Sequence, residues 1–163
     1  MKTLKKRRNE NKTSYKKRLG LLKSGTPRIV IRKTNRYVIV QYIKSHEAQD
    51  KVIVHTTSKE LLKHGWPESL EGSLKSIPCA YLTGFIAGKK ILEKEKNPEI
   101  ILDAGLHRNI HGNRIYAVLK GLIDAGLKIK ADKKSFPKEE RISGKHLNQN
   151  VQKAFEQLKN KIK

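Results

Sequence analysis

The sequence predicts an α/β domain with a mixed sheet, helices packed on that sheet, and basic extensions at both ends. Three β-branched segments in succession predict an antiparallel meander. A long apolar helix, a short apolar strand and an amphipathic helix come next, so the fourth strand reaches the sheet through a crossover. With 163 residues, 36% of them hydrophobic, the chain suits a single domain with unpacked ends.

The meander begins in the segment "RIVIRKTNRYVIVQYI". Its two β-branched runs, Arg28 to Arg32 and Tyr37 to Ile43, flank "KTNR", whose Asn suits a tight turn, so the segment predicts a hairpin. The segment "SHEAQD" then connects to a third run from Lys51 to Ser58, which extends the meander.

Two helices are predicted after the meander. "SKELLKHG" favours a short helix with Ser58 as N-cap and Gly65 as its stop. A longer helix is predicted from Ser76 to about Glu95. Gly84 and Gly88 lie four residues apart on one face of it, a spacing that predicts close approach of this helix to the sheet.

The remaining elements complete the crossover. "EIILDAG" predicts a short buried strand, and "GNRIYAVLKGLIDAG" predicts an amphipathic helix that ends at Gly126. Val151, Phe155, Leu158 and Ile162 have helical spacing and predict a short terminal helix. We therefore expect a basic arm over residues 1–26, an α/β domain over 27–127 and a basic extension over 128–163.

The net charge of +22, with a pI near 10.2, indicates a polyanionic partner. Residues 1–45 carry a net charge of +14, residues 46–103 carry −1 and residues 104–163 carry +9. Two basic ends around a nearly neutral middle favour nucleic acid over an anionic membrane. The apolar run from Ile77 to Gly88 is too short to span a membrane. The single cysteine, Cys79, excludes an internal disulfide or a multi-cysteine zinc site.

The N-terminal arm has too little apolar surface before Leu19 to fold alone. We expect it to become ordered only on its partner. Tyr15 lies among lysines and an arginine, which places one stacking surface within a phosphate-binding run.

The turn in "LDAGLHRNIHGNRIYAVL" is the candidate site, and three chemistries are possible for it. His107 and His111 lack the further ligands that a stable metal site needs. Asp103, at the end of a predicted strand, suits a Mg-dependent nuclease, but the first strands carry no acid to complete a two-metal centre. The third possibility is anion binding.

For anion binding, the turn would place a phosphate on the first N–H groups of the helix that follows. Gly105 and Gly112 would allow the backbone to approach closely. Further donors would come from four side chains: Arg108, His111, Asn113 and Arg114.

Five segments together resemble one known family. They are "KTSYKKRL", "PRIVIRKTNRYVIVQ", "YLTGFIAGKKIL", "LDAGLHRNIHGNRIYAVLKGLIDAGLKI" and "KKSFP". In that order they are similar to the 5S rRNA-binding proteins of the large ribosomal subunit, number eighteen in the bacterial naming, in their archaeal form. The resemblance covers roughly residues 11–137, without the insertions and C-terminal region of the longer eukaryotic members.

The resemblance implies a sheet of ribonuclease H-like topology, no catalysis and no cofactor. It implies a cytoplasmic ribosomal protein of the central protuberance, with 5S rRNA, large-subunit rRNA and the neighbouring ribosomal proteins as partners. The residues that it implies for RNA binding are Arg7, Arg8, Lys12, Tyr15, Lys16, Lys17, Arg18, Arg28, Arg32, Asn35, Arg36, His107, Arg108, His111, Asn113 and Arg114. The alternatives are a Mg-dependent nuclease of ribonuclease H-like fold and a basic architectural protein without a fixed site.

Overall fold

The computed structural model describes residues 5–162 and contains one four-stranded sheet. Its strands are β1 (Arg28–Lys33), β2 (Val38–His46), β3 (Gln49–Thr57) and β4 (Ile101–Asp103). The order across the sheet is β3-β2-β1-β4, with antiparallel β1–β2 and β2–β3 pairs and a parallel β1–β4 pair. The predicted meander and crossover strand are both confirmed.

The described residues form seven α-helices. They are α1 (Lys6–Asn9), α2 (Tyr15–Lys23), α3 (Glu60–His64), α4 (Ile77–Lys94), α5 (Arg114–Asp124), α6 (Glu139–Ile142) and α7 (Gln149–Ile162). Two short 3₁₀ segments, Glu68–Ser73 and Lys133–Ser135, lie between them. No helix within residues 5–162 combines the length and the apolar character needed to cross a membrane.

The connection between β2 and β3 is shorter than the sequence predicts. It is a two-residue turn at Glu47 and Ala48, whose φ angles are +48° and +65°. Two successive positive φ angles are typical of a type I′ hairpin turn, whose usual sequence marker is Asn or Gly. Because that marker is missing, the six residues of "SHEAQD" resemble a loop although four of them belong to strands.

Helices α4 and α5 pack against each other on one face of the sheet. The alternate residues of β1 and β2 that face them, including Ile29, Ile31, Val40 and Tyr42, have no exposed surface. Burial of this apolar layer is the main source of stability for the domain.

The two helices approach closely at glycines. A Cβ on Gly84 of α4 would lie 2.2 Å from the carbonyl oxygen of Val118, and one on Gly121 of α5 would lie 2.2 Å from that of Tyr81. The small residues therefore bring one helix against the other. The predicted approach of Gly84 and Gly88 to the sheet is wrong, since the atoms nearest to both belong to α5 and its end.

Helix α3 begins without the predicted cap. The hydroxyl of Ser58 accepts a hydrogen bond from the backbone N–H of Val38 on the neighbouring strand, at 3.1 Å. The N-cap position falls on Lys59, which makes no side-chain cap bond. The predicted stop at Gly65 is confirmed, with φ of +111°.

The C-terminal segment takes part in the core. Val151, Ala154, Phe155 and Leu158 of α7 are buried, and Phe155 packs against Tyr81 of α4 with ring centroids 5.9 Å apart. The sequence assigns these residues to a basic extension beyond residue 127, but the packing continues past that point. Lys163, at the end of the predicted extension, lies outside the described residues.

The N-terminal arm is helical where the sequence predicts no structure of its own. Ser14 caps α2, because its hydroxyl accepts a hydrogen bond from the backbone N–H of Lys17. Neither α1 nor α2 contains a buried residue. That the arm becomes ordered only on RNA stays a prediction, and its first four residues lie outside the described part of the chain.

Candidate nucleic-acid interface

Helix α2 and the turn after β4 border two adjoining clefts. The first, which we call the turn cleft, has a volume of about 430 Å³. It is lined by Lys17, Gly20, Leu21, Leu102, Asp103, Ala104, Gly105, His107, Arg108, Asn109, Asn113, Ile115 and Tyr116. The second, the arm cleft, has a volume of about 420 Å³. It is lined by Arg7, Lys12, Thr13, Ser14, Tyr15, Lys17, Arg18, Leu21, Arg32, Asp103, Gly105 and Leu106.

The arm cleft is strongly basic. Five of its lining residues are cationic, namely Arg7, Lys12, Lys17, Arg18 and Arg32, against one acid, Asp103. Tyr15 lies among them, and the ammonium of Lys5 lies 4.7 Å from the centroid of its ring. Cations around an aromatic ring suit a nucleic-acid strand, whose phosphates bind the charges while a base stacks on the ring.

Asp103 holds the turn in place. Its carboxylate accepts hydrogen bonds from the Arg32 guanidinium at 3.1 Å and from the backbone N–H of Gly105 at 2.8 Å, and its carbonyl oxygen accepts a second Arg32 bond at 2.7 Å. Gly105 has a φ of +61°, and a Cβ there would lie 2.9 Å from the Arg32 guanidinium carbon. Arg32 therefore positions the turn as well as lining the arm cleft.

No catalytic metal centre is visible around Asp103. Residues 5–162 contain no group of three or more histidines, cysteines or carboxylates close enough to hold a metal ion. The two nearest cations, Arg28 and Arg32, lie 3.9 and 3.1 Å from the Asp103 carboxylate. A carboxylate paired in this way stabilises the turn.

The N-terminus of α5 is capped from within the chain. The Asn113 side-chain oxygen accepts from the backbone N–H groups of Ile115 and Tyr116, at 2.8 and 3.1 Å. The N–H of Gly112 donates to the Ser135 carbonyl at 2.9 Å. Two of the helix N–H groups to which the sequence assigns a phosphate thus already have an acceptor, which weighs against a phosphate there; phosphate binding at the turn stays a prediction.

Arg28 is buried and does not reach the surface. It is 2% exposed, and its guanidinium lies 2.6 Å from the Asp50 carboxylate and 3.0 Å from the Ser45 hydroxyl. In sequence it resembles the other basic residues near the hairpin, but its strand position turns it toward Asp50. We therefore remove Arg28 from the proposed RNA contacts.

Asp50 also links the sheet to the arm, because its carboxylate accepts a hydrogen bond from Arg18 of α2 at 2.9 Å. Burial raises the pKa of Asp50, but hydrogen bonds from Arg18, Ser45 and Arg28 outweigh that effect and lower the pKa to about 2. Because the pKa of this carboxyl is lower in the folded state, the ionised carboxylate stabilises the fold at pH values above its pKa in the unfolded chain. This contribution is lost as the pH falls toward 2. The carboxylate thus stays charged at neutral pH.

Arg18→Ala is expected to loosen α2 without unfolding the domain. Exposed ion pairs contribute about 0.2–1 kcal/mol, so amide hydrogen exchange in residues 17–22 should accelerate about two- to fivefold. Exchange in α4 should not change. Lys16→Ala is the matched control, because the Lys16 side chain is exposed and makes no hydrogen bond or ion pair with residues 5–162. Equal exchange rates in the two variants would contradict the role given to Arg18.

The other predicted residues lie apart from the two clefts. Asn35 and Arg36 are exposed at the tip of the β1–β2 hairpin, where they line a separate cavity of about 290 Å³. His111 stacks on Tyr116, with ring centroids 6.4 Å apart. Arg8, Lys16 and Arg114 line neither cleft.

Several lining residues have no marker in the sequence. Leu21, Leu102 and Ile115 form an apolar part of the turn cleft, and they have the pattern of ordinary core positions. Asn109 lies within the candidate turn, but its contact with the Tyr116 hydroxyl depends on the helix orientation. A basic segment can be recognised in the sequence, whereas the apolar residues that line the cleft beside it can be identified only from the tertiary structure.

Comparison with known proteins identifies the family. Residues 1–101 and 93–132 match the model of the ribosomal large subunit proteins 60S L5 and 50S L18. Large ribosomal subunit protein uL18 of Korarchaeum cryptofilum is 47% identical over 141 residues, which are 86% of this chain and 70% of that protein. The uL18 of Methanoculleus marisnigri is 46% identical over 141 residues, 86% of this chain and 78% of that protein. The uL18 of Thermofilum pendens is 44% identical over 142 residues, which are 87% of this chain and 70% of that protein.

These matches account for the excess of basic residues around an otherwise ordinary α/β core. They confirm the resemblance drawn from the sequence, and with it the assignment to the cytoplasmic ribosome and to a structural rather than an enzymatic protein. The chain belongs to the uL18 family of large-subunit ribosomal proteins.

Proposed function

We propose that this protein binds 5S rRNA and attaches it to the large subunit at the central protuberance, beside large-subunit rRNA and neighbouring ribosomal proteins. The observation that carries the proposal is the arrangement of the arm, the end of β1 and the turn around two adjoining clefts. Three separate basic segments in one surface can contact several phosphates of a folded RNA at fixed positions, which a flexible tail does not do.

The two parts of this surface have different roles in the proposal. The cations of α1 and α2 supply charge, because phosphate contacts give affinity without sequence information. The turn is held by Asp103 and by the Asn113 cap, so Arg108 projects from a fixed backbone. A rigidly held donor discriminates between RNA shapes better than one on a mobile segment.

Arg108→Ala is expected to weaken binding to 5S rRNA about five- to tenfold and to reduce its preference over another RNA of equal length. Lys17→Ala should weaken binding to both RNAs by a similar factor. Each variant should also flatten the slope of log affinity against log salt by about 0.7–0.9. Filter binding at several salt concentrations measures both quantities.

Lys63→Ala is the control, since Lys63 is an exposed lysine of α3 that lines neither cleft. Attachment is tested by reconstituting large subunits with and without the protein and measuring their 5S rRNA content. A wild-type protein that shows no preference for 5S rRNA, or subunits that retain 5S rRNA without it, would refute the proposal.

A further inference from the structure

The turn cleft contains polar side chains whose acceptor atoms are already used within the chain. The Asn113 oxygen is fixed by two backbone N–H groups of α5, so its amide nitrogen lies on the side away from the helix end. That nitrogen has no hydrogen-bond partner among residues 5–162 in the structure. An amide with its oxygen fixed in this way offers only donors to a ligand.

In two neighbouring residues the acceptor atom is also occupied, which leaves a donor free for a ligand. The Asn109 oxygen accepts from the Tyr116 hydroxyl, which leaves its amide nitrogen as a donor. The Nε2 atom of His107 accepts from the backbone N–H of Lys33 at 3.4 Å, so the proton of a neutral ring resides on Nδ1. Burial lowers the pKa of His107, and the charges of Lys33 and Arg32 lower it further, which favours that neutral ring.

The floor of the cleft is apolar. Ile115 is 3% exposed, and Leu21 and Leu102 are half-buried beside it. A phosphate placed on this floor would lose hydration without compensation, whereas a planar ring would bury its faces favourably. The volume of about 430 Å³ is within the usual range for small-ligand sites.

A ligand that combines a planar aromatic ring with two adjacent hydrogen-bond acceptors on one edge fits these features. Guanine presents O6 and N7 side by side on one edge, while adenine presents an amino donor beside N7. An amino donor facing two asparagine donors is unfavourable. RNA-binding proteins commonly bind unpaired bases through such edges.

We propose that the turn cleft binds one unstacked guanine of the bound rRNA, with the Asn113 amide donating to its N7 and the Asn109 amide donating to its O6. Lys17 and Arg108 at the rim then lie near the flanking phosphates. The inference rests on the proposed RNA binding and adds the base that the cleft selects. Leu21 and Leu102, which keep part of their surface accessible, pack against that base.

Analogue interference mapping tests the proposal. 5S rRNA is transcribed with sparse phosphorothioate-tagged 7-deazaguanosine, which lacks the N7 acceptor, and the molecules that bind are cleaved with iodine. The wild-type protein should exclude the analogue at one unpaired guanine about fivefold, the effect of one lost hydrogen bond. Asn113→Ser keeps an N-cap oxygen but removes the amide donor, so the exclusion at that position should disappear.

The outcomes separate the two proposals. If wild type binds 5S rRNA but excludes 7-deazaguanosine nowhere, the guanine site is refuted while 5S rRNA binding stands. Exclusion that persists unchanged in Asn113→Ser also refutes it. If wild type prefers another rRNA, 5S rRNA binding is refuted, and the same mapping on that rRNA decides the guanine site.

Discussion

Gly121→Ala is expected to lower the melting temperature by about 6–12 °C. The added Cβ would lie 2.2 Å from the Tyr81 carbonyl oxygen and 2.9 Å from the Phe85 backbone nitrogen. Both contacts are with backbone atoms, so α5 must move away from α4 and disturb the core. Overpacking of this kind costs about 3 kcal/mol, and each kcal/mol shifts the melting temperature by about 2–4 °C in a chain of this size.

Gly20→Ala is the control for this substitution. Gly20 lies in α2, and a Cβ there meets no atom within 4 Å. Alanine has a higher helix propensity than glycine by about 1 kcal/mol, so this variant should be neutral or slightly stabilised. Thermal unfolding followed by circular dichroism compares the two. Equal melting temperatures for wild type and Gly121→Ala would show that the helices do not depend on this close contact.

The triple replacement of Arg7, Lys12 and Lys17 by alanine is expected to have the largest effect on RNA binding. All three residues line the arm cleft. At about 1 kcal/mol for each hydrogen-bonded charge, affinity for 5S rRNA should fall about a hundredfold at physiological salt. The slope of log affinity against log salt should flatten by about two units, because each phosphate contact contributes about 0.7–0.9.

A second triple variant distinguishes the effect of the arm cleft from the effect of net charge. Lys59, Lys63 and Lys153 are exposed and line neither cleft. Their replacement by alanine removes the same charge and should change the salt slope by much less than one unit. Similar losses in the two triple variants would mean that the whole basic surface binds RNA and that the clefts have no special part.

The sequence predicts the strands and main helices because their markers are local. β-branched runs mark β1 to β3, and Gly65 and Gly126 end helices at positive φ. Interactions between distant segments have no such marker. Ser58 suits a helix cap by its local sequence, yet it bonds to Val38 twenty residues away. The close contact of α4 with α5 likewise depends on how the helices cross.

The candidate site divides in the same way. The arm and the turn are visible in sequence as dense charge beside turn residues. Arg28 is indistinguishable from them because its partner Asp50 lies across the sheet. The capping role of Asn113 becomes visible only when the start of α5 is fixed, and that role gives two helix N–H groups an acceptor and leaves the Asn113 amide nitrogen as a donor.

The packing of α7 on α4 has a consequence for biosynthesis. Residues of the nascent chain emerge in order, so α4 is complete long before Phe155 can cover Tyr81. Until residues 149–162 have emerged, α7 cannot cover this apolar face, which is open to chaperones or to other unfinished chains. Truncation before residue 149 by a premature stop codon would leave the face permanently exposed and make the product prone to aggregation and degradation.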